Sequence, residues 1–440
     1  MARADDDLLA PDIYYSRAAM ALEHERLWPS VWLMACREQE IEKIGDYVVF
    51  DIAGESIVIL RSSATEVKAF YNVCQHRGRR LLDGCGKTGP VIFCPFHGWR
   101  WNRDGSINHV VAPEDYEGQP GFTPEALALK PVRFDRWGGW IWVTMNPDAT
   151  PLLDYLAPIP DFLGAFDLED TRITWHQTIV FPVNWKTILN AFNEAYHVEA
   201  THPQFLRFGM PKSASKAYGD HAHFFYPPSD KRTPTAFVQK FDDLREQIRA
   251  REYERAELLH ALISPYALSA VDRLVEEKPG EETPVEIYAR YRRLHREEME
   301  RAGARWPESL TDADIARAGI NWHIFPNSVV LPCIDGAQWY RARPNGDDPE
   351  SCIYDVWWMG RYAPGEEPPV EHQFYADIAS FEGRNPFLEQ DFDNLIAVQA
   401  GMHSRGFKGM RDNPVQEAAV RAFHRGVERY LYGNGPAPKR

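Results

Sequence analysis

Four residues early in the chain have the types and the spacing of a metal centre. Cys74 and His76 form a Cys-x-His pair, and Cys94 and His97 form a Cys-x-x-His pair after seventeen intervening residues. Two thiolates and two imidazoles suit zinc or an iron–sulfur centre. Zinc sites of this composition usually group like ligands along the chain, whereas each loop here offers one Cys and one His. The alternation favours a two-iron, two-sulfur cluster with both thiolates on one iron and both imidazoles on the other.

A second set of donors lies further along the chain. Residues 184–196 have helical spacing of apolar positions, and His197 and His202 follow. Two histidines five apart do not share one face of a regular helix, so we expect the helix to end between them, near Thr201 and Pro203. A carboxylate would complete a facial triad of two His and one acid, which leaves open positions on Fe(II) for oxygen. The acidic segment 389–394 supplies candidates.

The residues around both sets resemble a known family. Segments 45–47, 69–74 and 94–99 closely match a Rieske domain over residues 30–145. Nearly the whole chain resembles the large catalytic subunit of a Rieske non-haem iron oxygenase of the aromatic ring-hydroxylating type. This resemblance implies a Rieske [2Fe-2S] cluster, a mononuclear Fe(II), and cluster ligands at Cys74, His76, Cys94 and His97.

The resemblance also implies roles for individual residues of the second set. In the family the third iron ligand lies eight residues before a glutamine, and counting back from Gln399 gives Asp391, with Asp393 and Glu389 as alternatives. His197 and His202 are the other two ligands. An acid at the position of Glu194 bridges a cluster histidine of the neighbouring subunit to an iron-ligating histidine. Many ring dioxygenases have Asp there, so the glutamate weakens the inference to that subgroup.

The implied activity is that of the oxygenase component of an enzyme that uses O2. Electrons pass from NADH or NADPH through a separate reductase or ferredoxin to the cluster and then to the iron. There O2 is activated and hydroxylates or dihydroxylates an aromatic substrate. The alternatives are a monooxygenase that performs O-demethylation or hydroxylates a quaternary amine. A non-catalytic Rieske electron carrier would need only about the first 150 residues. The family also implies a homotrimer, with or without a small beta subunit, in which each cluster serves the iron of its neighbour.

Composition limits the partners and the compartment. The net charge of −15 argues against nucleic acid as a partner. The sequence has no run of eighteen apolar residues and no basic, apolar start typical of a secretory signal. We therefore expect no membrane partner. The six cysteines show no spacing of a disulfide framework, which favours a reducing, cytoplasmic location.

The pattern of strands and helices predicts an α+β protein. We expect an N-terminal helical segment over residues 1–29, a small all-β Rieske iron–sulfur domain over 30–150, and a larger catalytic iron domain over 151–440 with helices packed on an antiparallel sheet. A hairpin is predicted at 47–60, a helix at 236–263 and a single strand at 322–331. Candidate pocket residues are Asn190, Phe192, Asn193, Phe205, Phe208, Val330 and Trp357.

Overall fold

The computed structural model of the protein describes residues 8–209, 212–227, 239–278 and 280–433. The chain divides into two compact units, one of which joins the residues up to Met20 with Leu156–Arg429. The other joins Ala21–Tyr155 with the residues from Tyr430 onward. Among the described residues, no helix is long and apolar enough to cross a membrane. The domain limits predicted from the sequence remain a prediction.

The unit around Ala21–Tyr155 is built from short antiparallel strands in three sheets, with the orders β1-β10-β9, β4-β3-β2-β5 and β6-β7-β8. Helix α1 (Arg17–Leu22) precedes them, and the elements that follow are β1 (Leu33–Arg37), β2 (Asp46–Ile52), β3 (Glu55–Arg61), β4 (Val67–Tyr71), β5 (Cys85–Lys87), β6 (Val91–Phe93), β7 (Arg100–Asn102), β8 (Ile107–His109), α2 (Pro124–Leu127), β9 (Arg133–Trp137) and β10 (Trp140–Thr144). Strands β2 and β3 pair antiparallel, which confirms the predicted hairpin. Buried Trp99 and Trp101 pack in one core with Cys74 and Cys94.

The other unit has one eight-stranded sheet, ordered β12-β13-β14-β15-β16-β17-β11-β18. Its strands are β11 (Arg172–Phe181), β12 (Ala214–Tyr218), β13 (His221–Phe225), β14 (Asn321–Ile324), β15 (Ser328–Cys333), β16 (Gly336–Asn345), β17 (Asp348–Gly360) and β18 (Glu371–Tyr375). All neighbours pair antiparallel except β11 and β18. The combination of an all-β unit with helices on an antiparallel sheet confirms the predicted fold class.

Helices pack on this sheet and position the second set of donors. From residue 152 onward the helices are α3 (Leu152–Leu156), α4 (Ile159–Leu163), α5 (Trp185–Phe192), α6 (Val198–Thr201), α7 (Leu244–Leu259), α8 (Pro265–Glu276), α9 (Pro284–Arg301), α10 (Asp312–Ala318), α11 (Ile378–Phe381), α12 (Pro386–Met402) and α13 (Ala418–Tyr432). Phe192 of α5 lies 4.8 Å from Tyr340 and 5.6 Å from Tyr354, measured between ring centroids. Phe392 of α12 contacts the ring of Tyr354 at 6.1 Å.

Two predicted elements are wrong in their extent. Residues 322–331 form two strands, β14 and β15, which pair antiparallel with Ile324 opposite Ser328. Pro326 lies at the break, because proline has no N–H to donate to a strand ladder. The helix predicted at 236–263 begins only at Leu244, where the Asp243 side chain caps it by accepting from Arg245 N, and part of the predicted range lies outside the described residues.

Candidate metal centres

The four cluster candidates converge from two loops of the same construction. In each loop the glycine four residues after the cysteine donates its N–H to the cysteine carbonyl, at 3.0 Å for Gly78 to Cys74 and 3.0 Å for Gly98 to Cys94. Both glycines have a positive φ, +73° and +75°, which a side chain would disfavour. The sequence therefore builds two matching turns that present one cysteine and one histidine each.

The donor atoms of these loops fit a Rieske cluster. The rings of His76 and His97 lie 4.6 Å apart between centroids, and the Nδ1 atom of each is buried without a hydrogen-bond partner among the described residues. Burial, helped by the neighbouring thiol of Cys94, raises the pKa of Cys74 against the lowering effect of nearby backbone N–H groups, and a bound cation would favour the thiolate. A buried pair of orphaned ring nitrogens beside two buried cysteines is the donor set of a two-iron cluster with mixed ligands.

The second set of donors lies where a helix ends. The side chain of Asn184 caps α5 by accepting from Lys186 N, and the helix stops at Phe192. Only the short helix α6 separates His197 from His202, and a 3-10 helix at Pro203–Phe208 follows. The helix therefore ends before His197, earlier than predicted, and a separate short helix lies between the two histidines. Their ring centroids lie 5.5 Å apart.

Asp391 on α12 completes a group of three candidate ligands. Its Oδ1 atom lies 3.0 Å from His202 Nε2 and 3.4 Å from His197 Nε2, and the ligand atoms of all three residues lie within 4.8 Å of one another. His202 and Asp391 are fully buried, and Asp391 Oδ2 has no hydrogen-bond partner among the described residues. A buried carboxylate with an unsatisfied oxygen beside two imidazoles fits a divalent metal.

The two alternative carboxylates lie elsewhere. Asp393 is exposed on α12, two residues beyond Asp391. Glu389 accepts from the backbone N–H groups of Arg384 at 2.9 Å and Asn385 at 3.1 Å, just before the same helix. The geometry therefore brings together Asp391 and the two histidines, while their role as iron ligands remains a prediction.

Glu194 binds one of the candidate iron ligands from outside. His197 Nδ1–H donates to Glu194 Oε1 at 2.6 Å, and the backbone N–H groups of Tyr196 and His197 donate to Oε2. Burial lowers the pKa of His197, but the carboxylates of Glu194 and Asp391 outweigh it and hold that pKa above the ordinary value. A carboxylate on Nδ1 fixes the ring so that Nε2 faces the metal position. The predicted link to a neighbouring subunit remains a prediction.

Sequence reasoning missed two residues at the site. The ring of Phe387 stacks on His202 at 3.9 Å, and Gln390 Oε1 accepts from His202 Nδ1–H at 2.7 Å. Neither has a local sequence signal, because both contacts join segments almost 190 residues apart. The candidate pocket residue Trp357 lies on the opposite strand face from Tyr354 and stacks on His176 at 4.4 Å, and its place in a pocket remains a prediction.

The fold and the two donor sets define a class of proteins with an iron–sulfur unit and a mononuclear metal unit. A model of the Rieske [2Fe-2S] domain matches residues 31–122, and a model of the ring hydroxylating alpha subunit (catalytic domain) matches residues 167–433. The second match covers more than half of the 440 residues, so the chain belongs to the family of ring-hydroxylating alpha subunits, the Rieske oxygenases. The two matches confirm the predicted family and its cofactors, the cluster and a non-haem iron.

Individual relatives narrow the comparison. The oxygenase subunit of carnitine monooxygenase from Escherichia coli (strain K12) is 35% identical over 198 residues, 44% of this chain and 51% of that protein. The oxygenase subunit of glycine betaine monooxygenase from Chromohalobacter salexigens is 30% identical over 205 residues, 46% and 45% of the two chains. The chain thus spans about half the length of the curated relatives it matches.

Among solved structures, the fold is similar to that of the quaternary ammonium Rieske monooxygenase CntA in complex with L-carnitine. The TM-score is 0.64 at 19% identity, over 96% of this chain and 95% of that one. At this identity the likeness shows the fold.

Proposed function

We propose that this chain is the oxygenase component of a Rieske monooxygenase that hydroxylates a quaternary ammonium compound. The observation that carries the substrate class is the similarity to oxygenase subunits of carnitine and glycine betaine monooxygenases. This is the alternative that the sequence left open, and it replaces the aromatic substrate as the leading hypothesis. The glutamate at position 194, which weakened the inference to ring dioxygenases, agrees with the change.

The charges beside the candidate iron site support a cationic substrate. The carboxylates of Glu194, Asp391 and Glu417 all act on His197. Burial and the neighbouring charge of Glu194 raise the pKa of Glu417 above its ordinary value. Bound Fe(II) would offset the charges of Asp391 and Glu194, and the carboxylate of Glu417, when ionised, would favour a ligand cation. The aromatic ring of Phe387 lies beside His202, and aromatic faces also attract quaternary ammonium groups.

In the proposed reaction the residues divide into a donor set and an acceptor set. Cys74, His76, Cys94 and His97 would hold the cluster, and His197, His202 and Asp391 would hold Fe(II). When bound, the iron supplies the centre at which O2 is activated. One oxygen atom enters a C–H bond next to the quaternary nitrogen. The other oxygen atom takes up two electrons from a reductase and two protons from solvent, and leaves as water. The hydroxylated carbon then becomes a carbonyl group and releases the nitrogen as a tertiary amine with one proton.

We also propose the homotrimer in which electrons pass between subunits through Glu194. Exposed apolar side chains next to both centres support it. Phe96 is 57% exposed beside His97, and the guanidinium of Arg77 lies 5.6 Å from its ring. Tyr196 is 52% exposed beside His197. Large exposed apolar side chains adjacent to functional residues are typical of protein interfaces.

The decisive experiment is oxygen uptake by the full chain, loaded with iron and supplied with a reductase that reduces the cluster. Carnitine, glycine betaine, anthranilate and a methoxybenzoate form the panel. We expect uptake with a quaternary ammonium compound and stoichiometric release of a tertiary amine, detected by mass spectrometry. Turnover with the aromatic compounds alone would overturn the proposed substrate class. The variant His197→Ala is the control, because it should keep the visible spectrum of the cluster and lose turnover.

A further inference from the structure

The two histidines of the candidate iron site are held from outside by chemically different groups. The outer nitrogen of His197 donates to the carboxylate of Glu194 at 2.6 Å. The outer nitrogen of His202 donates to the amide oxygen of Gln390 at 2.7 Å. A negatively charged acceptor makes an imidazole a more basic ligand than a neutral acceptor does. The two imidazoles would therefore present unequal donor strength to the metal.

A second amide donates to the acceptor oxygen of the first. Gln204 Nε2–H donates to the same oxygen of Gln390, at 2.9 Å. A metal on His202 Nε2 leaves the proton on Nδ1, so the amide group of Gln390 must present its oxygen, and not its NH2, to His202, and Gln204 donates to that same oxygen. His202 then carries its proton on Nδ1, which leaves the Nε2 lone pair free. Nε2 is the atom that lies 3.0 Å from Asp391 Oδ1, at the metal position.

The position of Gln390 ties this hydrogen bond to the third ligand. Gln390 directly precedes Asp391 on α12, so one helix supplies both a ligand and the acceptor that orients another ligand. Gln204 lies on the 3-10 helix that begins right after His202. Both glutamines line an open cleft of about 720 Å³, with Arg207, Tyr253 and Leu258 among its other walls. The pair of amides is therefore a boundary between the buried metal position and the cleft.

We propose that Gln390, held in place by Gln204, is a positioning residue for the mononuclear metal. Gln390 sets the tautomer of His202 and gives this ligand a neutral amide oxygen as its hydrogen-bond acceptor. His197, in contrast, donates to a carboxylate. This inference rests on the proposed metal role of His197, His202 and Asp391. The affinity of the site for metal then depends partly on the hydrogen bond between Gln390 and His202, although Gln390 itself binds neither substrate nor metal.

The test is a Co(II) titration of the full chain with its cluster loaded and its mononuclear metal removed by a chelator. The d–d absorption of Co(II) reports binding and ligand geometry independently of turnover. Gln390→Met keeps the side-chain length and removes the acceptor, and Gln390→Glu keeps the acceptor and adds charge. Asp393→Asn, an exposed change on the same helix, is the matched control. Loss of such an outer partner typically weakens metal binding about 10- to 100-fold.

We expect that loss for Gln390→Met with altered d–d bands, affinity at or above the parent for Gln390→Glu, and no change for Asp393→Asn. An unchanged cluster spectrum in each variant controls for folding. Parent-like affinity and bands in Gln390→Met would overturn the role of Gln390 and leave the proposed function intact. A parent chain that binds no Co(II) would instead overturn the proposed metal site itself, and the inference with it.

Discussion

Glu194 uses both carboxylate oxygens, so replacing it by glutamine changes one specific part of the site. Oε1 accepts from His197 Nδ1–H, and Oε2 accepts from two backbone N–H groups in the following turn. Glutamine has the same shape but only one oxygen. Its NH2 group must face either the imidazole or the backbone donors, and neither can accept from it while the metal-binding tautomer is kept.

The size of the effect follows from the two possible orientations. If the amide oxygen keeps the bond to His197, two N–H groups at a side chain that is only 7% exposed lose their acceptor. A buried donor without a partner costs about 1–3 kcal/mol. If the oxygen keeps the turn, His197 must move its proton to Nε2, the atom that faces the metal position. Metal binding therefore selects the first orientation, and the loss of one acceptor there lowers metal affinity roughly five- to 150-fold, since about 1.4 kcal/mol equals a factor of ten. Loss of the acceptor for both N–H groups lowers it further.

A metal titration measures the expected fall in metal affinity directly. Co(II) or Fe(II) is added to the cluster-loaded chain after removal of the mononuclear metal, for the parent and for Glu194→Gln. The exposed Glu199→Gln on α6 is the matched control, because it removes one carboxylate nearby without touching a histidine. If Glu194→Gln bound metal within twofold of the parent, the reasoning about the outer hydrogen bond would be refuted.

Three further predictions use other measurements. Cys94→Ser chains lack the cluster and His197→Ala chains lack the iron site, so neither works alone. In a random, equal co-assembly, about one quarter of the sites in the homotrimers should pair an intact iron site with an intact cluster on the neighbouring chain and regain activity. No regained activity would refute electron transfer between subunits. Asp391→Asn should abolish mononuclear iron by metal analysis, whereas Asp393→Asn should keep it; the reverse result would reassign the third ligand. Burial lowers the pKa of His176 to about 4, so the unfolded chain takes up a proton between pH 6.5 and 4 that the folded chain refuses. Stability should therefore fall by about 2 kcal/mol from pH 7 to pH 5, and thermal melts of His176→Gln should lack that part of the loss.

Candidate metal ligands could be predicted from the sequence where the residues that indicate them lie close together in the chain. The cluster loops are recognisable because ligands and turn glycines lie within five residues of one another in each loop. The choice of Asp391 as the third iron ligand stays a prediction, and its place on α12 agrees with it. Asp391 and Gln399 lie eight positions apart, close to one helix face, and both are buried, whereas Asp393 lies about 200° around the helix from Asp391 and is exposed.

Features that depend on contacts between distant segments were not predictable in the same way. Gln390 meets His202 only because α12 packs against the turn after α5, and no spacing in the sequence encodes that meeting. The prediction of a single strand at 322–331 was wrong for a local reason. Its run of apolar residues indicated one continuous strand, and the break that Pro326 favours was given too little weight. Asp243 was the corresponding signal for the true start of α7, since Asp favours a helix N-cap over a helix interior.

The sequence distance between the candidate iron ligands has a consequence for the durability of the protein. His202 and Asp391 are 189 residues apart in the chain and come together only in the folded state. A metal that bridges them would act as a reversible cross-link that closes this long loop, and its binding energy would add to the free energy of unfolding. At a free metal concentration 1,000 times the dissociation constant, the gain is about 4 kcal/mol. Iron starvation would thus expose the chain to proteolysis as well as inactivate it.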